Sequence, residues 1–135
     1  SRRDKASFLP ENYRLMAEAG AINLFDGDKD QLFDNTTILK VHGHTPHMAL
    51  LKIHDENNHL LYCADLIPTA SHIPLPFIMG YDLNALQTLK EKEEILLKAC
   101  KEDWILFFEH DPNCDAAKIE KTEKDDYRAR ETFYL

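Results

Sequence analysis

Four apolar runs in the interior of the chain predict β-strands. They are TTILKVHG (36–43), HMALLKIH (47–54), HLLYCADL (59–66) and WILFFEH (104–110). The second and third runs are separated by DENN, and because Asp and Asn favour tight turns, these two strands should form a hairpin. Their apolar residues are continuous rather than alternating, which predicts a sheet that is covered on both faces.

The remaining segments predict two helices, a long loop and a second hairpin. Segment 10–20, PENYRLMAEAG, has Pro at its start and Gly at its end, which is typical of a short helix. Thr88 and Glu91 have the spacing of a capping box, so a second helix should cover about residues 89–101. Three further segments are interpreted as a brief strand running into a turn (21–30), an irregular Pro-rich loop (67–82) and a terminal hairpin that turns near Asp125 and Asp126 (116–133).

Composition is consistent with a single globular domain in a reducing compartment. The 135 residues are 44% hydrophobic, which is enough to build a core, and no repeat, low-complexity tract or linker divides residues 1–135. The cysteines, Cys63, Cys100 and Cys114, show no C-x-x-C spacing. The N-terminus has no apolar segment of the kind that a secretory signal carries. We therefore expect a cytoplasmic location.

Charge and hydropathy exclude two classes of partner. The chain has 24 acidic and 16 basic residues, and the basic residues are not clustered, so we expect no nucleic-acid partner. No apolar run approaches the roughly 20 residues that cross a bilayer, so we expect no membrane partner either. The partner expected at a catalytic site is a small-molecule substrate.

Three side chains that can bind metal ions lie at the ends of predicted strands. His44, Asp65 and His110 each end a strand and each precede a loop that contains Pro. If these ends meet at one edge of the sheet, neutral imidazole and carboxylate groups could converge on a cation such as zinc. The residues by themselves leave the alternative open that they are a turn histidine, a turn-forming aspartate and a polar strand end.

Three motifs resemble a known family. GHTP (43–46), CADLIPTASHIPLP (63–76) and FFEHDP (107–112) are similar, in this order, to the last three metal motifs of the metallo-β-lactamase-fold hydrolases. The resemblance implies that His44 binds one metal ion, that Asp65 bridges two, and that His110 binds the second. It extends over nearly the whole chain, from about residue 4 to the final hairpin.

The first motif of that family, H-x-H-x-D-H, does not occur in this sequence. The resemblance therefore implies an α/β (α+β) fold that corresponds to the C-terminal half of an αββα metallo-β-lactamase sandwich, with one mixed sheet and helices on its outer face. The inner face of such a sheet would be covered by an N-terminal half-domain, or by a second copy of the chain in a symmetric dimer.

The resemblance also implies a reaction. Intact members hold two divalent metal ions, for which zinc is expected here, and a metal-bound hydroxide attacks a carbonyl or phosphoryl centre, with Asp65 as the bridging catalytic residue. The acidic surface favours a small ester or lactone over a large polyanion. This chain alone should bind one metal ion or none and should be inactive. The alternative is a non-enzymatic half-domain or binding module that retains the scaffold without the reaction.

Other residues near these motifs are candidates for supporting roles. His42 could chelate a metal ion with His44 or support the site through a hydrogen bond. His72 is interpreted either as a substrate contact or as a loop histidine, and Tyr81 either as a donor to an oxyanion or as a filler of the loop's core. His47 stands where the family commonly has Gly, and Cys114 could approach a metal ion or be structural.

Overall fold

The computed structural model describes residues 8–25 and 33–134. Helix α1 (Pro10–Glu18) precedes strands β1 (Thr36–Val41), β2 (Met48–His54) and β3 (His59–Tyr62). Two short 3-10 turns, Ala64–Leu66 and Ala70–His72, lead to helix α2 (Ala85–Lys101), which is followed by strands β4 (Ile105–Phe107), β5 (Ala116–Lys121) and β6 (Tyr127–Phe133). In these two described ranges, neither helix is long and apolar enough to cross a membrane.

The named strands form one mixed sheet whose spatial order is the chain order, β1 to β6. β3 and β4 are parallel and are connected through α2, whereas every other neighbouring pair is antiparallel. β1, β3 and β4 therefore run in the same direction, and their carboxyl ends lie at one edge of the sheet. The predicted mixed sheet, with the final hairpin at its edge, is confirmed.

The core lies between one face of the sheet and α2. Leu61, Leu106 and Ala117 lie side by side on β3, β4 and β5 and are fully buried. Leu96 and Ala99 of α2 belong to the same buried cluster, and their spacing of three places both on one face of the helix. Burying a leucine side chain contributes about 2 kcal/mol, so this layer holds α2 against the sheet.

The opposite face of the sheet is only half-buried. Two rows of side chains cross β2, β3 and β4 there, and we call them the open face: Leu51, Tyr62 and Phe107 in one row, and Ile53, Leu60 and Ile105 in the other. Ile53 retains 40% of its accessible surface. Within the described residues α2 covers one face of the sheet, so coverage of the open face stays a prediction.

Helix α2 begins earlier than the sequence predicts. Asn84 is its N-cap and accepts a hydrogen bond from the Gln87 N–H at 3.2 Å, so the helix begins at Ala85. The predicted capping box is wrong: Thr88 lies inside the helix and donates its hydroxyl to the Asn84 carbonyl. The carboxylate of Glu91 instead accepts from the main-chain N–H groups of His42 and Gly43.

Close packing between α2 and the β1–β2 loop requires glycine at position 43. A Cβ atom added to Gly43 would lie 2.2 Å from the backbone nitrogen of Thr88. Neither the loop backbone nor the helix backbone can move aside easily. The Asn84 N–H donates to the Gly43 carbonyl at 2.8 Å, which joins the start of the helix to the loop. The G-H-T motif thus includes its glycine because the helix passes directly over it.

Several predicted boundaries are too long. The strands predicted over 36–43, 59–66 and 104–110 end at Val41, Tyr62 and Phe107, because the chain turns before each polar motif. The brief strand predicted in 21–30 is absent from residues 21–25, which are irregular, and residues 26–30 lie outside the described ranges. Both predicted hairpins are confirmed, with Asp55 accepting from the N–H groups of Asn57 and Asn58 in the first turn.

Candidate functional site

The side chain of Asp65 lies between two histidines. Its Oδ2 atom is 3.4 Å from Nε2 of His44, and its Oδ1 atom is 3.2 Å from Nε2 of His110. Each carboxylate oxygen therefore faces a different imidazole. The three residues that the sequence predicts as a site come together at the edge of the sheet where β1, β3 and β4 end.

The surrounding backbone fixes where these side chains start. His44 lies in the β1–β2 loop, where its carbonyl accepts from the Leu83 N–H at 3.1 Å. Asp65 lies in the 3-10 turn after β3, which is attached to β4 because the Cys63 N–H donates to the Phe107 carbonyl at 3.0 Å. His110 follows β4, and its N–H donates to the carbonyl of Pro68 at 3.1 Å. Main-chain hydrogen bonds, rather than side-chain packing alone, thus set the three positions.

A second carboxylate completes the surroundings of His44. Oδ1 of Asp82 is 2.8 Å from Nδ1 of His44, so both ring nitrogens of this histidine face carboxylate oxygens. A neutral imidazole carries one N–H, which can serve one of these oxygens. The second ring nitrogen then carries no proton, so its lone pair faces a lone pair of the other carboxylate. A cation or a second proton between these two atoms would relieve their repulsion.

The donor set fits divalent metal ions of the zinc type. Imidazole nitrogen and carboxylate oxygen each lie about 2.0–2.1 Å from zinc, so two such ligands of a tetrahedral ion are about 3.3 Å apart. The separations from Asp65 to His44 and His110, 3.4 and 3.2 Å, match that value. Among residues 8–25 and 33–134, however, no group of three or more metal-binding side chains could hold one ion. Among the described residues, His44 and one oxygen of Asp65 thus offer two donors at one position, and His110 and the other oxygen of Asp65 offer two donors at a second position.

Sequence reasoning missed Asp82 and Glu91, although both act on the G-H-T loop. Asp82 contacts a residue 38 positions away, and Glu91 contacts residues 48 and 49 positions away. In the sequence, Asp82 follows an apolar run at the end of the Pro-rich loop, and Glu91 has the spacing of a capping box. Neither local pattern indicates which distant backbone or ring the carboxylate reaches.

Lys92 was also missed, and it organises the Pro-rich loop. Its side chain is fully buried, and its Nζ atom donates to the carbonyls of Pro74 at 2.7 Å and Phe77 at 2.8 Å. Burial lowers the pKa of Lys92 to about 8, and the nearby carboxylates of Asp126 and Asp82 oppose that change. Lys92 therefore fixes the loop that leads to Asp82.

The supporting candidates lie around the site but do not join the Asp65 contacts. His42 is exposed, and its Nδ1 accepts from the His47 N–H at 3.1 Å. The His42 and His47 rings meet edge to face, with centroids 4.9 Å apart. Nδ1 of His72 is 2.8 Å from the Thr69 hydroxyl, and burial together with the charge of Lys92 lowers the pKa of His72.

Tyr81 and Cys114 have contrasting surroundings. The Tyr81 ring is 61% exposed, which contradicts the alternative that it fills the loop's core, and its centroid is 6.1 Å from the His44 ring. Cys114 is buried, and burial followed by the neighbouring Asp111 raises the pKa of its thiol. Tyr81 thus remains a candidate for contact with a ligand, while Cys114 is part of the core cluster.

Comparisons with known proteins identify the fold. No family model and no curated protein sequence matches the chain. Among solved structures, it is similar to a probable metal-dependent hydrolase from Staphylococcus aureus (21% identity, TM-score 0.72), with 85% of this chain covering 42% of that one. It is also similar to AidC, a dizinc quorum-quenching lactonase (16% identity, TM-score 0.75), with 97% of this chain covering 45% of that one.

A third similar structure is AbOPH, a hydrolase of the β-lactamase superfamily. The identity is 12% and the TM-score 0.70, with all of this chain covering 47% of that one. These likenesses confirm the metallo-β-lactamase fold that the three motifs predict. The chain spans less than half of the length of each of these structures.

Proposed function

We propose that this chain is part of a metal-dependent hydrolase and that His44, Asp65 and His110 bind its metal ions. The observation that supports this proposal is the position of Asp65, whose two oxygens each face one histidine Nε2 atom. A carboxylate that bridges two metal ions needs one oxygen directed towards each metal position, and the two oxygens of Asp65 have this arrangement.

Divalent metal ions, for which we propose zinc, would supply Lewis acidity that lowers the pKa of water and stabilises negative charge on the substrate. His44 with one oxygen of Asp65 would hold one ion, and His110 with the other oxygen would hold the second. The charge of Asp65 would offset part of the charge of both ions. Tyr81, exposed beside His44, would donate a hydrogen bond to a bound substrate.

A catalytic zinc ion commonly has three protein ligands and one open position. The described residues supply two donors at each position, so we propose that the remaining ligands belong to a polypeptide that packs on the open face. An N-terminal half-domain bearing the H-x-H-x-D-H motif is the proposed source, and a second copy of this chain is the alternative. Both would also bury the open face.

For the substrate we propose a small ester or lactone. The chain carries a net charge of −8, which disfavours large polyanions. AidC, which shares the fold, is a lactonase, and this supports the same class of substrate. The proposed reaction is hydrolysis of the acyl–oxygen bond with water as the second reactant.

A binding half-domain without activity is the second candidate. It is favoured by the finding that no three metal-binding side chains in the described ranges converge on one point. Under this alternative, the chain would retain the scaffold and use the edge of the sheet for binding alone.

Metal analysis of the chain tests the proposed site. The chain is stripped of metal with a chelator and titrated with zinc, and bound zinc is measured by elemental analysis and calorimetry. We expect about one ion or less per chain, with loss of binding in Asp65→Asn and no change in Asp103→Asn, whose carboxylate pairs with Lys118 and Arg130. Zinc binding that does not respond to Asp65→Asn would contradict the proposed site.

The hydrolase proposal itself is tested on the intact protein that contains this chain. We expect about two zinc ions per intact chain and turnover of small lactones or esters in a panel of both. Two bound ions with no turnover of either class would favour the binding half-domain.

A further inference from the structure

The carboxylate of Asp82 is buried with half of its hydrogen-bonding capacity unused. Only 1% of its side chain is exposed, and its Oδ1 atom is 2.8 Å from Nδ1 of His44. Its Oδ2 atom is buried, and no described residue forms a hydrogen bond with it. The hydrogen-bond partner of this carboxylate in the described residues is therefore the imidazole of His44.

Burying a carboxylate costs free energy unless hydrogen bonds or opposite charges compensate. A carboxylate that served only to stabilise the loop would be expected to accept from main-chain N–H groups, as Glu91 does for His42 and Gly43. Asp82 makes no such contact, because its side chain is directed at a ring nitrogen. The loop is held separately, since the Leu83 N–H donates to the His44 carbonyl at 3.1 Å.

We propose that Asp82 is a positioning residue that holds the N–H of His44 on Nδ1 and thereby leaves the Nε2 lone pair facing Asp65. Ionised carboxylates only accept hydrogen bonds, and the two ring nitrogens of His44 face the carboxylates of Asp82 and Asp65. The Nδ1–Asp82 separation of 2.8 Å is a hydrogen-bond distance, whereas the Nε2–Asp65 separation is 3.4 Å, so the single proton of a neutral His44 belongs on Nδ1. A hydrogen bond at one ring nitrogen decides which tautomer is present and how the ring is oriented. In this way Asp82 prepares the other nitrogen for a cation.

The assignment of the tautomer does not depend on the proposed function. The effect on zinc affinity does rest on the proposed function, because it requires His44 to be a metal ligand. The two statements therefore need separate readouts, one on the metal-free chain and one on zinc affinity.

The first experiment assigns the histidine tautomers by long-range ¹H–¹⁵N correlation in the metal-free, ¹⁵N-labelled chain. The pH is set about two units above the ordinary histidine pKa of about 6.5, so that the rings are neutral. We expect His44 to carry its proton on Nδ1 in the wild type and in Asp82→Asn, whose amide oxygen can still accept. In Asp82→Leu, which has similar bulk and no acceptor, we expect a mixture with the Nε2–H form.

Thr69→Val provides the matched control, because the Thr69 hydroxyl is bonded to His72 and not to His44. It should change the signals of His72 and leave the tautomer of His44 unchanged. The backbone amide spectrum reports whether each variant is folded. If Asp82→Leu is unfolded, Asp82→Ala takes its place with the same expected mixture.

The second experiment measures zinc affinity by competition with a chromophoric chelator. We expect Asp82→Leu to bind zinc about 10–100-fold more weakly than the wild type, with Asp82→Asn in between. An Nε2–H tautomer in the wild type, or an unchanged Nδ1–H tautomer in folded Asp82→Leu, would overturn the positioning role. If neither the wild-type chain nor the intact protein binds zinc while the tautomer changes as expected, the proposed metal site fails and the positioning role is supported.

Discussion

Both carboxylate oxygens of Glu91 lie within hydrogen-bond distance of the backbone nitrogen of His42, at 2.9 and 3.0 Å. The Gly43 N–H lies 3.0 Å from one of the same oxygens. Glu91 is buried in the second turn of α2, so the helix that packs on the core also holds the loop that carries His44. The stability of α2 and the geometry of the candidate site are thereby coupled.

Replacing Glu91 should therefore destabilise the protein more than an ordinary change on the helix surface. Glu91→Ala leaves the partly buried N–H of His42 and the buried N–H of Gly43 without this acceptor, which costs about 1–3 kcal/mol for a buried group. Urea unfolding followed by circular dichroism measures the difference. Glu93→Ala, on the exposed side of the same helix, is the control and should stay within about 0.5 kcal/mol of the wild type. Equal effects of the two changes would contradict the anchoring role of Glu91.

Lys92 should make the stability depend on pH in the alkaline range. Burial lowers the pKa of Lys92 from 10.5 to about 8 in the folded protein, so between these values the unfolded chain binds more protons than the folded one. The free energy of unfolding contributed by Lys92 should then rise as the pH increases from about 8 to about 10.5. Below that pH range the buried charge of Lys92 destabilises the folded protein. Within the range this destabilisation decreases, because Lys92 is then neutral in the folded protein.

The Lys92→Met variant isolates this contribution, because its side chain has similar length and does not titrate. We expect the wild type to gain stability relative to Lys92→Met across the window, measured by urea unfolding at a series of pH values. Identical pH dependence of the two proteins would show that Lys92 has an ordinary pKa.

Asp65→Ala in the intact protein should abolish hydrolysis. Removing the proposed ligand of both metal ions would eliminate several kcal/mol of transition-state stabilisation, which corresponds to a loss of at least about a thousandfold in kcat/KM. Initial rates with the best lactone or ester of the panel provide the measurement. Asp103→Ala, whose carboxylate pairs with Lys118 and Arg130 and not with the three predicted ligands, is the control and should keep its rate. Near-normal turnover by Asp65→Ala would refute the bridging role.

His47→Gly should be tolerated. His47 has a φ angle of 63°, in the left-handed region, where a side chain costs about 1–2 kcal/mol and glycine does not. The gain is reduced because glycine makes the unfolded chain more flexible and because the edge contact with His42 is lost. We expect the free energy of unfolding to change by no more than about 1 kcal/mol. Urea unfolding measures this change, and His54→Gly, at the last residue of β2, should be clearly destabilising in the same experiment.

The three predicted ligands could be found from the sequence because each lies in a short motif directly after an apolar strand. The direction of β1, β3 and β4 then brings His44, Asp65 and His110 to one edge. Asp82 and Glu91 could not be assigned in the same way, because their partners lie dozens of residues away along the chain. The start of α2 was misplaced for a related reason, since Thr88 and Glu91 match a local capping motif while their contacts are tertiary.

The open face leads to the last prediction, which concerns association. Its rows include Ile53, Leu60 and Ile105. On the other face of the sheet, Leu61 of β3 and Leu106 of β4 are fully buried beneath α2. An apolar patch of about 500 Å² represents on the order of 12 kcal/mol of burial, comparable with the stability of a whole domain. Monomeric proteins seldom leave so large a patch exposed.

We therefore expect the 15.7 kDa chain to elute as a dimer, or together with a polypeptide that covers the open face, in size-exclusion chromatography with light scattering. Ile53→Lys places a charge on the open face and should shift the mass to that of the monomer, with increased binding of an apolar dye. Leu86→Lys is the control, because Leu86 is 81% exposed on α2, which packs against the opposite face, and it should leave the mass unchanged. A wild-type monomer that binds no dye would show that the open face needs no cover, and with it the proposal of a second polypeptide supplying the remaining ligands would lose its physical basis.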